Sequence, residues 1–157
     1  FREMQLEVAR SVPNTGMAVT IDLGHPTNVH PKHKKPVGMR LAHLALAHAY
    51  KQRVQCGGPR LLNVDQEARM IRLHFDRDVR AASGEEVRGF KIAGHDRLFH
   101  RARALVRGKT VEVSSTIVTN PAALRYGWSG FPDCNLVDSG GTPASPFRTD
   151  RWLTGAP

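Results

Sequence analysis

Histidine, aspartate and asparagine crowd one short stretch, Asp22-Leu23-Gly24-His25-Pro26-Thr27-Asn28-Val29-His30-Pro31-Lys32-His33. An imidazole can accept and return a proton during a reaction, and a neighbouring carboxylate or carbonyl can fix its tautomer, so the stretch has the makings of a general acid–base site. A second chemistry open to His25, His30 and His33, with Asp22, is cation binding. Their spacings match no standard zinc pattern, and His25 and His33 lie among lysines that would repel a cation. A third is glycoside hydrolysis by a carboxylate pair, Asp22 with Glu112, Asp133 or Asp138, which needs carboxyls ~5 or ~6.5–9.5 Å apart. Tyr126, Trp128, Phe131 and Trp152 offer faces on which sugar rings stack, or equally a share of a core.

The elements that must position these residues come from hydropathy patterning. Met17 to Ile21 is a short apolar run after Asn14-Thr15-Gly16, expected as a strand buried on both faces and closed by Asp22. A helix is expected from about Lys34 to Tyr50, with Pro36 in its first turn and apolar residues around most of its circumference. That places the histidine loop at the carboxyl end of a strand, where open α/β sheets bind ligands. Arg2 to Val12 has the spacing of a short amphipathic helix.

Beyond Gln52 the period changes to two. Strands are expected at Met70–Phe75, Phe90–Ile92, Arg101–Arg107, Val111–Val113 and Leu124–Trp128, with Arg107-Gly108-Lys109 as a hairpin turn. Phe131 to Pro157, rich in Gly, Pro, Ser and Asp, is expected as an ordered coil. The fold class is mixed α/β and β: a strand-loop-helix unit in residues 1–51, then an antiparallel β-sandwich with its coil in residues 52–157.

The 157 residues carry 23 Lys and Arg against 14 Asp and Glu, a formal net charge of +9. Such a balance admits nucleic acid or acidic polysaccharide as a partner. The basic residues are spread along the sequence as solvent-facing positions and aromatics make up only 6%, which argues against nucleic acid. The longest apolar region, Leu41 to Ala49, is short of the ~20 residues that span a bilayer, so no membrane partner is expected. Cys56 and Cys134 are compatible with a reduced state or one disulfide. An open strand edge and an uncovered apolar helix imply a homo-oligomer.

Met17-Ala18-Val19-Thr20-Ile21-Asp22-Leu23-Gly24, Val29-His30-Pro31-Lys32 and Val37-Gly38-Met39-Arg40-Leu41-Ala42 resemble the C-terminal catalytic block of sialate O-acetylesterases, carbohydrate esterases of the SGNH type. Downstream, Ile71-Arg72-Leu73-His74-Phe75, Gly89-Phe90-Lys91-Ile92-Ala93-Gly94, Asn120-Pro121, Arg125-Tyr126-Gly127-Trp128 and Pro143-Ala144-Ser145-Pro146-Phe147-Arg148-Thr149-Asp150 are similar to the same region. The resemblance implies that residues 1–51 are the remnant of an SGNH domain and that His30 is the histidine relaying a proton between serine and leaving sugar. Its serine nucleophile block, upstream in the family, has no counterpart here. The family's Asp three residues before the histidine is Thr27 here, and Asp22 and Asn28 are the nearest substitutes. His25, Asn28 and Trp128 are the expected substrate contacts, with no cofactor and no metal. The function implied is a carbohydrate-active hydrolase removing acetyl esters from sugars, in a truncated form. The alternatives are a non-catalytic carbohydrate-binding or interaction β-sandwich, or a glycoside hydrolase using acids of this fragment. Family members are often secreted or periplasmic, and the chain itself carries no signal peptide.

Overall fold

The computed structural model describes residues 1–152. Its elements are helices α1 (Arg2–Ser11) and α2 (Lys34–His48) and strands β1 (Leu61–Gln66), β2 (Met70–Phe75), β3 (Val79–Ala81), β4 (Phe90–Ala93), β5 (His100–Arg101), β6 (Arg103–Arg107), β7 (Thr110–Ser114), β8 (Ala123–Tyr126), β9 (Leu136–Asp138) and β10 (Phe147–Arg148). The strands make two four-stranded sheets, β1-β2-β7-β6 and β10-β8-β4-β5, and a two-stranded ribbon, β3-β9. All these pairings are antiparallel. The described chain is thus mostly β, with two helices.

Alternation in the sequence accounts for the sheets. In β2, Ile71, Leu73 and Phe75 point inward and are buried, while Met70, Arg72 and His74 face out. Val111 and Val113 of β7 lie in register with Leu73 and Ile71. The β6–β7 hairpin turns at Gly108, whose φ of +60° suits glycine. From the other sheet, Phe90, Ile92, Leu124 and Tyr126 join the same cluster, as do Val79 of β3 and Leu136 of β9, so a single core lies between the sheets. Each such side chain contributes roughly 1.5–3 kcal/mol by leaving water.

Tyr126 is the polar exception in that core. Its ring packs on Phe90 and Phe147, with centroids 4.7 and 5.5 Å away. Its hydroxyl accepts a hydrogen bond from the Leu136 N–H at 2.9 Å, tying β8 to β9, and burial pushes its phenol far above the ordinary tyrosine value. Tyr126→Phe keeps the ring but leaves a buried N–H without an acceptor. It should lower unfolding free energy by about 1–3 kcal/mol in urea titration; an unchanged midpoint would show that the hydroxyl is dispensable.

The structure departs from the sequence expectations in five respects. Met17 to Ile21 is not a strand: no partner pairs with it among the described residues, and the segment runs as half-buried irregular chain. An apolar, β-branched run becomes a strand only where a ladder completes its backbone hydrogen bonds. Phe131 to Trp152 is not all coil, since β9 and β10 lie within it; residues 153–157 of that expected coil lie outside the described residues. The strand at 101–107 is broken at Ala102, where the chain leaves β4's sheet, the pairing of β5, for β7's sheet, the pairing of β6. The strand expected over 124–128 stops at Tyr126, because Gly127 turns the backbone with φ +63°. β1, β3, β9 and β10 lie outside the strands that the hydropathy pattern marks.

Helix α1 is held to the sheets by its N-terminal end. Glu3 pairs with Arg148 of β10 at 2.8 Å, and Arg2 donates to the carbonyls of Ser129 and Gly130 at 2.8 and 2.6 Å. Helix α2 is apolar, yet none of its residues is buried, and Met39 and Leu41 are 51% and 52% exposed. Behind it, Gln55 donates to the fully buried carboxylate of Asp138 at 2.7 Å.

Candidate functional site

The histidine loop is assembled from short local contacts. The Asn28 side-chain oxygen accepts the His30 backbone N–H at 2.8 Å, an Asx turn that fixes the chain just before Pro31. His25 Nδ1 accepts the Thr27 N–H at 3.2 Å, which leaves the proton of its neutral ring on Nε2. His30 is exposed, and among the described residues its only hydrogen bond is that backbone one, so the imidazole is free to meet a ligand.

Asp22 has a different partner from the one the loop suggests. Both its oxygens accept from Arg40 of α2, at 2.7 and 2.6 Å, and Arg40 also donates to the Val19 carbonyl at 2.7 Å. This two-pronged pair pins the entry of the loop to the helix that follows it. No hydrogen bond joins Asp22 to His25 or His30 among the described residues. In the sequence Arg40 stands within the Val37–Ala42 block, 18 positions from Asp22, and nothing in the spacing marks it as the clamp.

The loop also rests on the turn after β8. A Cβ on Gly127 would lie 3.2 Å from Ile21 Cδ1, and one on Gly24 would lie 3.4 Å from the Phe131 ring. That turn carries Trp128, whose indole lies beneath the guanidiniums of Arg148 and Arg125 at 5.3 and 5.7 Å. Trp128 is half-buried and borders a hollow of about 280 Å3 shared with Phe1, Glu3 and Pro146. His25 and His30 are not part of that hollow's wall. Phe131 is exposed, and Trp152 packs edge-on to Phe99 with Arg97 above it.

The other sequence candidates resolve as ion pairs. Glu112 is held by Arg72 and Arg107, Asp133 by Arg88, and Asp138 by Gln55, the Thr142 N–H and Arg77. Each acid named for a glycosidase pair is therefore already engaged by a cation or an amide. No three His, Cys, Asp or Glu side chains converge as metal ligands among the described residues, so His25, His30 and His33 are not brought together. The two cysteines are not bonded to each other: Cys56 sits 3.6 Å from His48 Nε2, and Cys134, half-buried near Tyr126, has its thiol pushed up by burial.

No protein-family model matches the sequence, and no curated protein does. Six chains of solved structures match. Among them is the crystal structure of a carbohydrate acetylesterase from Xanthomonas citri, 41% identical, with a TM-score of 0.91 over 96% of this chain. The match covers 35% of the acetylesterase chain, so the present chain spans about a third of its length. The fold is shared over nearly all of the residues described here, and the chain has a carbohydrate esterase among its relatives.

Proposed function

We propose that this chain belongs to a carbohydrate-active hydrolase that removes acetyl esters from sugars, as the sialate O-acetylesterases it resembles do. The observation that carries the reading is the 41% identity to a carbohydrate acetylesterase over 96% of the chain. In this reading His30 is the proton carrier: it takes the proton of a serine nucleophile and returns it to the departing sugar oxygen. Asp22, locked to Arg40, holds the loop in place, while His25, Asn28 and Trp128 flank the sugar. Acetate release from acetylated oligosaccharides, together with labelling by a fluorophosphonate probe, tests the proposal. Acetate release without labelling would remove the serine mechanism. Cleavage of nitrophenyl glycosides with no acetate release would replace it by a glycosidase.

The non-catalytic reading is favoured by one observation, that the buried core belongs almost wholly to the β-sheets. It requires sugar binding with no turnover.

The exposed apolar face of α2 bears on the partner of the chain. We propose that copies of the chain cover it for one another, since apolar surface left in water costs on the order of 25 cal/mol per Å2. Light scattering at micromolar concentration should then exceed the 17.4 kDa monomer mass, and Met39→Glu with Leu41→Glu should restore it. A monomer in the unmodified protein would refute this.

A further inference from the structure

A groove of about 970 Å3 lies away from the histidine loop, where β5 and β6 cross from one sheet to the other. Its volume is at the upper end of the ~300–1,000 Å3 of small-molecule sites. Arg69, Arg101 and Arg103 line it, all exposed, and among the described residues none has a carboxylate partner. Arg101 and Arg103 flank Ala102, the point where the chain crosses between the sheets, and both line the groove.

The acids of the groove do not cancel this charge. Glu112 is neutralised by Arg72 and Arg107, and Arg88 and Asp133 neutralise each other. That leaves three free guanidiniums facing one free carboxylate, Glu86. Ser114 and Thr116 add hydroxyls at the groove's end, and Ile117, 67% exposed, gives the apolar contact that the C–H face of a sugar needs. Guanidiniums bind carboxylates through two parallel hydrogen bonds, a geometry that lysine cannot reproduce.

We propose that this groove binds an acidic oligosaccharide, with uronate carboxylates on Arg69, Arg101 and Arg103 and sugar rings along Ile117. A chain held there is gripped apart from any ester chemistry at the histidine loop. The site reads the charge of the glycan where the loop would read its acetyl groups. Glycan suits the groove better than nucleic acid, because no exposed aromatic ring lines it to stack on bases.

The test is isothermal titration of the full chain with oligogalacturonate, a neutral cello-oligosaccharide and single-stranded DNA at low and moderate salt. The uronate should bind, weaken with salt, and bind more tightly than either comparator. Arg69→Gln with Arg101→Gln and Arg103→Gln should weaken it at least about tenfold. Arg53→Gln with Arg80→Gln and Lys109→Gln removes the same charge from exposed positions elsewhere and should change it less than about twofold. Single Arg101→Gln and Arg103→Gln, at exposed positions, carry the test if the triple variant fails to fold, each with a partial loss. Equal weakening by both triples would reduce the effect to diffuse charge and overturn the proposal. So would uronate binding no tighter than that of the neutral sugar or of DNA, or no binding at all. The readout is binding, so loss of the esterase reading leaves it standing and its own failure leaves that reading untouched.

Discussion

Asp150→Ala should destabilise the fold by about 3–5 kcal/mol, the usual consequence of removing one partner from a buried charge pair. The Asp150 side chain is 1% exposed and receives Arg125 through two hydrogen bonds of 2.9 Å, with the Trp152 N–H at 3.2 Å and Arg148 at 3.7 Å completing its shell. Arg125 is itself mostly buried, 15% exposed and 4.1 Å over the Phe99 ring, so little water can replace the carboxylate once it is gone. Burial alone would push the Asp150 carboxyl up, but the hydrogen bonds and charge of Arg125 prevail and hold it below the ordinary carboxylate range. A folded-state value below the unfolded one stabilises the protein above about pH 4, and that stabilisation is lost as pH falls through the folded value. The gap between wild type and variant in urea midpoint should therefore be wide near neutral pH and narrow in acid. Asp133→Ala is the control: its carboxylate pairs with Arg88 but is 71% exposed, and its loss should cost less than about 1 kcal/mol. Equal effects from the two substitutions would mean that the Asp150 cluster is not the anchor its geometry makes it.

What could be read from sequence divides along the range of the interactions involved. β2, β6, β7 and the helices were legible because each shows its period within a handful of residues, and Gly108 marks its hairpin by the conformation only glycine takes easily. β3, β9 and β10 are two or three residues long and form because a distant partner is present: Leu136 answers Ala81, and Phe147 answers Tyr126. Met17 to Ile21 is the converse, with strand-like composition and no ladder. The same division runs through the site. Asn28 and His30 lie two positions apart, and the turn that couples them follows from residue type. The Asp22–Arg40 clamp and the Arg125–Asp150 pair join residues 18 and 25 positions apart, and a carboxylate's partner among 23 basic side chains is not chosen by spacing. Arg69, Arg101 and Arg103 look like solvated strand positions until the crossing at Ala102 gathers them around one groove.

His30→Ala should lower ester hydrolysis by about 10²–10⁴-fold if His30 carries the proton, the range that general acid–base groups supply. Stability should stay within about 0.5 kcal/mol of wild type, because the ring is exposed and its one hydrogen bond belongs to the backbone. That pairing separates chemistry from folding, and two neighbours sharpen it. Asn28→Ala removes the oxygen that holds the His30 N–H at 2.8 Å, so the ring remains but its placement loosens; kcat should fall more than KM rises. Asp22→Ala frees Arg40, unpins the loop from α2 and should cost stability as well as rate, which distinguishes a framing carboxylate from one that touches the imidazole. Added imidazole restoring part of the rate in His30→Ala, and none in Asp22→Ala, would locate the missing proton carrier at position 30. A His30→Ala protein that hydrolyses acetyl esters at the wild-type rate would take His30 out of the reaction, and with it the proposal that this loop is the esterase's proton relay.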